Sequence, residues 1–510
     1  MESNSGQRDP NFDENLIDYF NSGANGLPLC RRRGPSQHMF MQYMHSCIRR
    51  KIYESARDGL DVTLYELLHN LSAEEANQII NETVTDGQIK CTPLIIAAKN
   101  GHQNIVKMLL MKFSPDLEIE GSAQFDGYLI EGATALWCAA GGGHLNVVRT
   151  LVEHKADINH ATKTDSTPLR AACFDGRLDI VKYLVEHNAD IHLSNKYNNT
   201  CLMIASYKGH LEVVEYLLSL SSDPNIKALC GATALHFAAE NGHLSIIKAL
   251  LFHNAVISKN SIGMTPLMAA ASTSRAHIVE YFISTDLCSE LEKVEALELL
   301  GSSYANDKDM YDLEKAFYYM EWAMRSRYRE LQNPLLKKLL PPIPAYDNRV
   351  ECQTLEQLIA IQSDSSALHM EALVIRERIL GPHNPEVPHP IIFRGAVYAD
   401  SARFDRCLEL WLHALRLKIM NSVSIKKDLL RFAQVFSQIL NIGHQLPFDF
   451  LSEIIETAIK ELKRNKEAFE QCSEQVSKEA IQEELDDNLH TVLYLIVIVT
   501  KVYIIFLNTF

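Results

Sequence analysis

The sequence predicts an all-α protein built as a solenoid, and three observations predict it. Six threonines, Thr92, Thr134, Thr167, Thr200, Thr233 and Thr265, stand 42, 33, 33, 33 and 32 residues apart and open variants of one phrase, from Thr92-Pro93-Leu94-Ile95 to Thr265-Pro266-Leu267-Met268. A T-P-L-H-x-A phrase with a period of about 33 marks the ankyrin repeat. The ninth residue after each of the first five threonines is a glycine (Gly101, Gly143, Gly176, Gly209, Gly242), suited to closing a helix because it accepts φ > 0. Farther on, Leu300-Gly301-Ser302-Ser303-Tyr304 with Ala316-Phe317, and Gly395-Ala396-Val397-Tyr398 with Phe404 and Ala414, match the L-G-x-x-Y…A part of a tetratricopeptide repeat. The fold class is therefore an ankyrin-repeat solenoid followed by a tetratricopeptide-like helical domain.

In chain order, residues 1–48 are polar and irregular, carry Arg31-Arg32-Arg33, and read as a disordered extension. Residues 49–285 read as about seven ankyrin repeats. The first, Lys51–Thr83, is a degenerate cap, recognised from Tyr53, Ala56, Leu60, Leu64, Leu67 and Leu68 at helical spacing. Each later repeat carries a Val/Ile-Leu-Leu second helix, as in Val213-Val214 with Leu217-Leu218. His102, His144, His210 and His243 follow the glycines, with Arg177 in the third copy, and read as loop hydrogen-bonders. Residues 286–510 read as the second helical domain. It is broken at Leu339-Leu340-Pro341-Pro342-Ile343-Pro344, and again from His383-Asn384-Pro385-Glu386 through Pro388-His389-Pro390. Val492–Leu507 is almost wholly apolar but holds Lys501 and is short for a membrane span, which needs about 20 residues. A buried helix whose partner lies beyond the end of the 510 residues is expected at least as readily as a span.

Composition narrows the function. A net charge of −15 argues against general nucleic-acid binding, which needs clustered basic surface. Eleven cysteines without a CxxC pair read as reduced intracellular thiols, which places the chain in the cytoplasm or the nucleus. The polar, acid-bearing first 20 residues show no signal peptide. No P-loop, G-x-G-x-x-G, G-x-S-x-G or H-E-x-x-H occurs, so the chain is expected to bind, not to catalyse, and without a cofactor.

The binding surface is expected at the one irregular interval. Its extra residues lie in Phe113–Glu131 and include Glu118, Glu120, Phe125-Asp126-Gly127-Tyr128 and Glu131. A lengthened finger hangs an aromatic and several acids over the concave face. One repeat later, Cys173-Phe174-Asp175-Gly176 places a second carboxylate at the end of an inner helix. Two carboxylates flanking a groove suit a guanidinium, which they bind through charge-assisted hydrogen bonds. The opposing reading is a turn residue before glycine and a drifted loop. Trp137 holds the position where the phrase has His; it floors a peptide pocket or merely packs. Arg170, one repeat on, needs an anion if buried, supplied either by a ligand or by Asp126 or Asp175. Cys201 and His236 are the only metal candidates, and stacked repeats set them about 10 Å apart, too far for shared ligation.

Asp165–Gly176 (Asp-Ser-Thr-Pro-Leu-Arg-Ala-Ala-Cys-Phe-Asp-Gly), Gln124–Tyr128 (Gln-Phe-Asp-Gly-Tyr), His389–Asp400 and Lys427–Gln438 resemble the Fem-1 family, and within it the homolog B branch, over about Lys51–Thr500. The resemblance implies a substrate receptor of cullin-2 RING ubiquitin ligases that reads C-terminal degrons ending in arginine through its ankyrin array. It implies pocket residues Phe125, Asp126, Ser166 and Asp175, and elongin B/C and cullin-2 as partners. Trp137 and Arg170 join that set on their own chemistry, Arg170 with Ser166 on the chain-end carboxylate. The family's pattern continues into further ankyrin repeats and a terminal box for elongin and cullin-2, which the 510 residues are expected to lack. The alternatives are a scaffold that joins partners without degradation and a truncated receptor that binds degrons without recruiting the ligase.

Overall fold

In a computed structural model of the chain, the described residues are 37–472, apart from 331 and 333, and 475–508. Helices α1 (Gln37–Asp58), α2 (Asp61–His69) and α3 (Ala73–Asn81) precede a short antiparallel hairpin, β1 (Val84–Asp86) with β2 (Ile89–Cys91). The pair α4 (Pro93–Lys99) and α5 (Gln103–Lys112) is followed by a second hairpin, β3 (Gly121–Phe125) with β4 (Tyr128–Ala133). Four more pairs follow: α6 (Ala135–Gly141) and α7 (Leu145–Glu153), α8 (Pro168–Phe174) and α9 (Leu178–Glu186), α10 (Cys201–Lys208) and α11 (Leu211–Ser219), α12 (Ala234–Asn241) and α13 (Leu244–Phe252). A last pair is α14 (Pro266–Ser272) and α15 (Ala276–Ile283).

The repeated threonines start the inner helices for a local reason. Thr92, Thr134, Thr167, Thr200 and Thr265 each accept a hydrogen bond on the side chain from the backbone N–H three residues on, which satisfies one of the orphan donors of the first turn. Gly101, Gly143, Gly176, Gly209 and Gly242 have φ of 70–88° and close the same helices. The histidine that follows reaches back one repeat: His102 Nε2 bonds Arg57 O, His144 bonds Lys99 O, His210 bonds Phe174 O and His243 bonds Tyr207 O, at 2.9–3.1 Å. Inner helices stack on one another from α1 through α4, α6, α8, α10, α12 and α14. Between the layers Leu109, Val148, Leu151, Leu184, Leu217 and Leu250 are fully buried, each worth about 1.5–3 kcal/mol of apolar transfer.

Two expectations shift here. Residues 37–48 are not irregular: they open α1, an uninterrupted helix with no Gly or Pro whose Ile48, Ile52, Tyr53 and Ala56 pack into the core. Residues 1–36, with the arginine cluster, lie outside the described residues. The core also does not break at 285/286, because α16 (Glu290–Asn306) stacks on α14 as one more inner helix.

Beyond α16 come α17 (Leu313–Arg327), α18 (Leu355–Ala360), α19 (Ser365–Leu380), α20 (Pro388–Asp400), α21 (Phe404–Met420), α22 (Lys426–Asn441), α23 (Phe448–Gln471) and α24 (Gln475–Asn508). The two motif glycines let helices touch: a Cβ on Gly301 would stand 2.8 Å from Ala316 O, and one on Gly395 2.3 Å from Trp411 Cδ1. Pro388 and Pro390 do not break a helix; they occupy the first turn of α20, where the missing N–H costs nothing. The proline-rich segment after α17 is a packed strap. Its Lys337 is bound to Glu351 at 2.7 Å and to Glu298 of α16 at 3.5 Å. Arg327 forms a bidentate pair with Glu298, and Arg378 of α19 binds both glutamates. All five side chains are nearly inaccessible.

In α24, Leu495 and Ile498 are buried and Val492 packs beside them, while Leu493, Ile496, Val497 and Ile504 are exposed. The helix therefore buries one face only. Among the described residues, no helix is long and apolar enough to cross a membrane.

Candidate functional site

The extra residues between the first two clear repeats fold as the β3–β4 hairpin. Its turn is Asp126-Gly127, at φ 48° and 82°, between the paired residues Phe125 and Tyr128. Two successive positive φ values match the twist of a two-residue hairpin, and Asp-Gly is a sequence that adopts them. The hairpin is moored at its base, where Lys90 N donates to Ser122 Oγ at 2.7 Å and Lys163 N donates to Glu131 O at 3.0 Å.

From that base the hairpin lies over the inner helices. Phe125 meets Trp137 edge-on, ring centroids 5.4 Å apart at 77°, and its ring is in van der Waals range of where a Cβ on Gly141 would stand, 3.6 Å. Lys99 Nζ of α4 stands 5.2 Å from the centroid of the same ring. Trp137 is 6% exposed, and its indole N–H is buried without a hydrogen-bond partner among the described residues. A buried N–H left unpaired costs about 1–3 kcal/mol.

The tip carries Asp126 across two repeats. Its Oδ2 lies 3.6 Å from Lys208 Nζ at the end of α10, and that ammonium sits 3.9 Å from the centroid of Phe174 at the end of α8. Beside Phe174, Asp175 holds Arg177 Nε through Oδ2 at 2.7 Å. Arg177 occupies the place of the repeat histidine, close enough to Gly143 that a Cβ there would be 2.5 Å from its Nε. Phe125, Asp126, Trp137, Phe174 and Lys208 thus form one chain of contacts, with Asp175 following Phe174 in sequence.

The other acids of the finger do not overhang the groove. Glu118 takes His160 Nδ1 at 2.8 Å and Asp157 N at 2.8 Å, Glu120 faces His160 Nε2 at 3.4 Å, and Glu131 pairs with Lys163 at 3.1 Å. They are used up at the base: Glu118 and Glu120 precede β3, and Glu131 lies in β4 opposite Ser122.

Arg170 is 9% exposed, and the expected internal salt bridge to Asp126 or Asp175 is absent. Its Nη1 donates instead to the carbonyls of Asn199 and Thr200, both at 3.1 Å, leaving Nε and Nη2 without a partner among the described residues. Burial holds its pKa below the usual arginine range, the mark of a charge short of an anion. Ser166 is half-buried at the same end of α8. Its N–H donates to Thr162 Oγ1 at 3.2 Å, and its hydroxyl is unpartnered among the described residues.

Cys201 and His236 do not make a metal site. His236 Nδ1 faces Thr233 N at 3.1 Å and Thr233 Oγ1 at 3.0 Å, and Nε2 bonds Met264 O at 3.1 Å. With the N–H of Thr233 donating to Nδ1, Nε2 carries the proton for the carbonyl and no lone pair is left for a metal. Cys201 is buried against Cys173, whose thiol is pushed well up by that contact and by burial. No cluster of metal-ligating residues occurs among the described residues.

Ankyrin repeats match the sequence in three copies, over residues 55–162, 159–228 and 202–290. The chain is 49% identical over 427 residues to the protein fem-1 homolog CG6966 of Drosophila melanogaster, covering 81% of this chain and 63% of that protein. It is 44% identical over 467 residues to fem-1 homolog C of Homo sapiens, covering 89% of this chain and 73% of the relative. The chain belongs to the Fem-1 family. Fem-1 homolog A of Rattus norvegicus is 39% identical over 465 residues, covering 81% of the chain and 70% of its own length. These relatives establish the family and not the homolog B branch within it. The Fem-1 chain spans 63% of the length of the fly relative and 73% of the human one. Repeats and family together make it a protein-binding solenoid.

Lys99, Phe174 and Lys208 escaped the sequence reading. Phe174 and Lys99 stand two residues before a repeat glycine, and Lys208 stands one before. Aligning the repeats on the glycines places them in the two columns that end the inner helices, beside Asp175. That alignment is the signal that finds them.

Proposed function

We propose that this Fem-1 chain is the non-catalytic substrate-recognition subunit of a cullin-2 RING ubiquitin ligase, in the cytoplasm and nucleus, and that its ankyrin groove holds C-terminal degrons ending in arginine. The observation that carries the reading is the delivery of Asp126 by the β3–β4 hairpin to the end of the inner helices where Asp175 lies. The terminal guanidinium lies between these two carboxylates over the Phe174 ring, a planar cation against an aromatic face. The chain-end carboxylate goes to Arg170 and Ser166. Arg170 of α8 precedes Asp175, which caps that helix, by five residues, about 7.5 Å at 1.5 Å each, a span suited to one extended arginine. Phe125 and Trp137 wall the peptide, and the Trp137 Nε1–H donates to a peptide carbonyl.

Binding of an arginine-ending peptide to the wild-type chain and to the Asp126→Ala, Asp175→Ala and double variants tests this. Each single change is expected to cost about 2 kcal/mol; a double variant that binds as tightly as wild type removes the pocket. Co-purification tests the ligase role: degron binding without elongin and cullin-2 makes the chain a receptor or scaffold that does not recruit the ligase.

A further inference from the structure

Among the described residues, Lys208 is the one cation that occupies the space the proposed function assigns to a ligand's guanidinium, between Asp126 and the Phe174 face. Its hold is loose. At 3.6 Å from Asp126 Oδ2 the ammonium is beyond hydrogen-bond distance, and Asp126 is 64% exposed, so the pair is a weak, screened attraction. Arg177 contrasts with it. That guanidinium is hydrogen-bonded to Asp175 at 2.7 Å and wedged over Gly143, so it stays and orients its carboxylate.

We propose that Lys208 is an intramolecular competitor that sets the affinity of the pocket: its side chain fills the cation position in the free protein and must leave before a ligand cation enters. This inference rests on the guanidinium-pocket reading. A tethered competitor lowers the affinity of every entering cation by one common factor, because the cost of displacing it does not depend on what replaces it. The discrimination between arginine and lysine ligands stays with Asp126, Asp175 and Phe174. An arginine displaces the ammonium most effectively, since it adds bidentate hydrogen bonds and a flat face for stacking.

The test uses the full chain, as wild type, Lys208→Met and Lys208→Arg, titrated with two peptides that differ only in a last residue of Arg or Lys. Methionine keeps the unbranched apolar stem and removes the charge. Lys208→Met is expected to tighten both peptides by the same factor, about fivefold for a weak pair plus a cation–π contact. Lys208→Arg, a stronger competitor, is expected to weaken both. Weaker binding by Lys208→Met would overturn the inference and assign Lys208 to holding the ligand; unchanged binding would overturn it too. Opposite responses of the two variants also exclude a merely structural role, which would weaken binding in both. A wild-type chain that binds the Arg peptide while ignoring these substitutions loses only this inference. A wild-type chain that does not distinguish the Arg peptide from one ending in Ala overturns the pocket reading and this inference with it.

Discussion

Phe125 stands edge-on to Trp137 with ring centroids 5.4 Å apart, and that contact joins the finger to the helix it crosses. An edge-to-face pair of this kind adds about 0.5–1.5 kcal/mol beyond its buried area. Trp137 also keeps a buried indole N–H with no acceptor among the described residues. In the free protein Trp137→Phe removes an unsatisfied donor and is expected to change stability by less than about 1 kcal/mol. It is expected to weaken an arginine-ending peptide by roughly tenfold, the worth of one hydrogen bond in a dry site. Denaturant melts paired with peptide titrations separate the two effects; equal losses in both would make Trp137 simply a core residue.

His236 ties two repeats together, with Thr233 on one nitrogen and Met264 O on the other. His236→Ala leaves the Thr233 N–H unpaired and takes one of two donors from the Met264 carbonyl, which keeps Asn260 N at 2.9 Å, at an expected cost of about 1–3 kcal/mol. Burial holds the imidazole pKa below its ordinary value, so the neutral ring persists into mildly acidic solution. A chelator is expected to leave the melting temperature of the wild type unchanged. A drop on chelation would show a metal bound by this chain.

Glu298 anchors the buried charge cluster that fastens the strap. Burial alone would raise its pKa, but the Arg327 hydrogen bonds and the charges of Arg378 and Lys337 pull it down to about 2. A carboxylate whose folded pKa lies below its unfolded value stabilises the fold above the unfolded pKa, and loses that contribution as pH falls through the folded one. The stabilisation, on the order of 3 kcal/mol, is therefore complete above pH about 4.5 and disappears towards pH 2. Glu298→Gln leaves Arg327 short of an anion, while Arg378 and Lys337 keep Glu351, and is expected to cost about 3–5 kcal/mol at neutral pH. Melting temperature against pH checks both statements: the variant should show a flatter acid limb than wild type. Parallel limbs would mean the cluster contributes little.

The repeat lattice was legible because its signals are local. A threonine that accepts from the third residue on, and a glycine at positive φ nine residues later, act within one helix. The hairpin was legible from one long interval and an Asp-Gly pair. The partners that the finger meets were not. Lys208 reaches Asp126 from 82 positions away in sequence, a contact fixed by the stacking of repeats and not by any spacing. Arg170 showed the same limit: its type and burial were readable, but its choice of the Asn199 and Thr200 carbonyls over a carboxylate depends on where the next repeat's backbone lies. The acids at the finger base misled for a related reason, since their composition said acidic while the stacked next repeat set His160 and Lys163 against them.

The central claim is that the groove reads a terminal arginine, and one titration tests it most directly. Peptides identical except for a last residue of Arg, Lys or Ala, with an Arg-amide control, are measured against the full chain. The expected order is Arg tightest, then Lys, with Ala weakest, and the amide weakened by loss of the carboxylate that Arg170 and Ser166 would hold. Equal affinity for the Arg and Ala peptides would contradict the account.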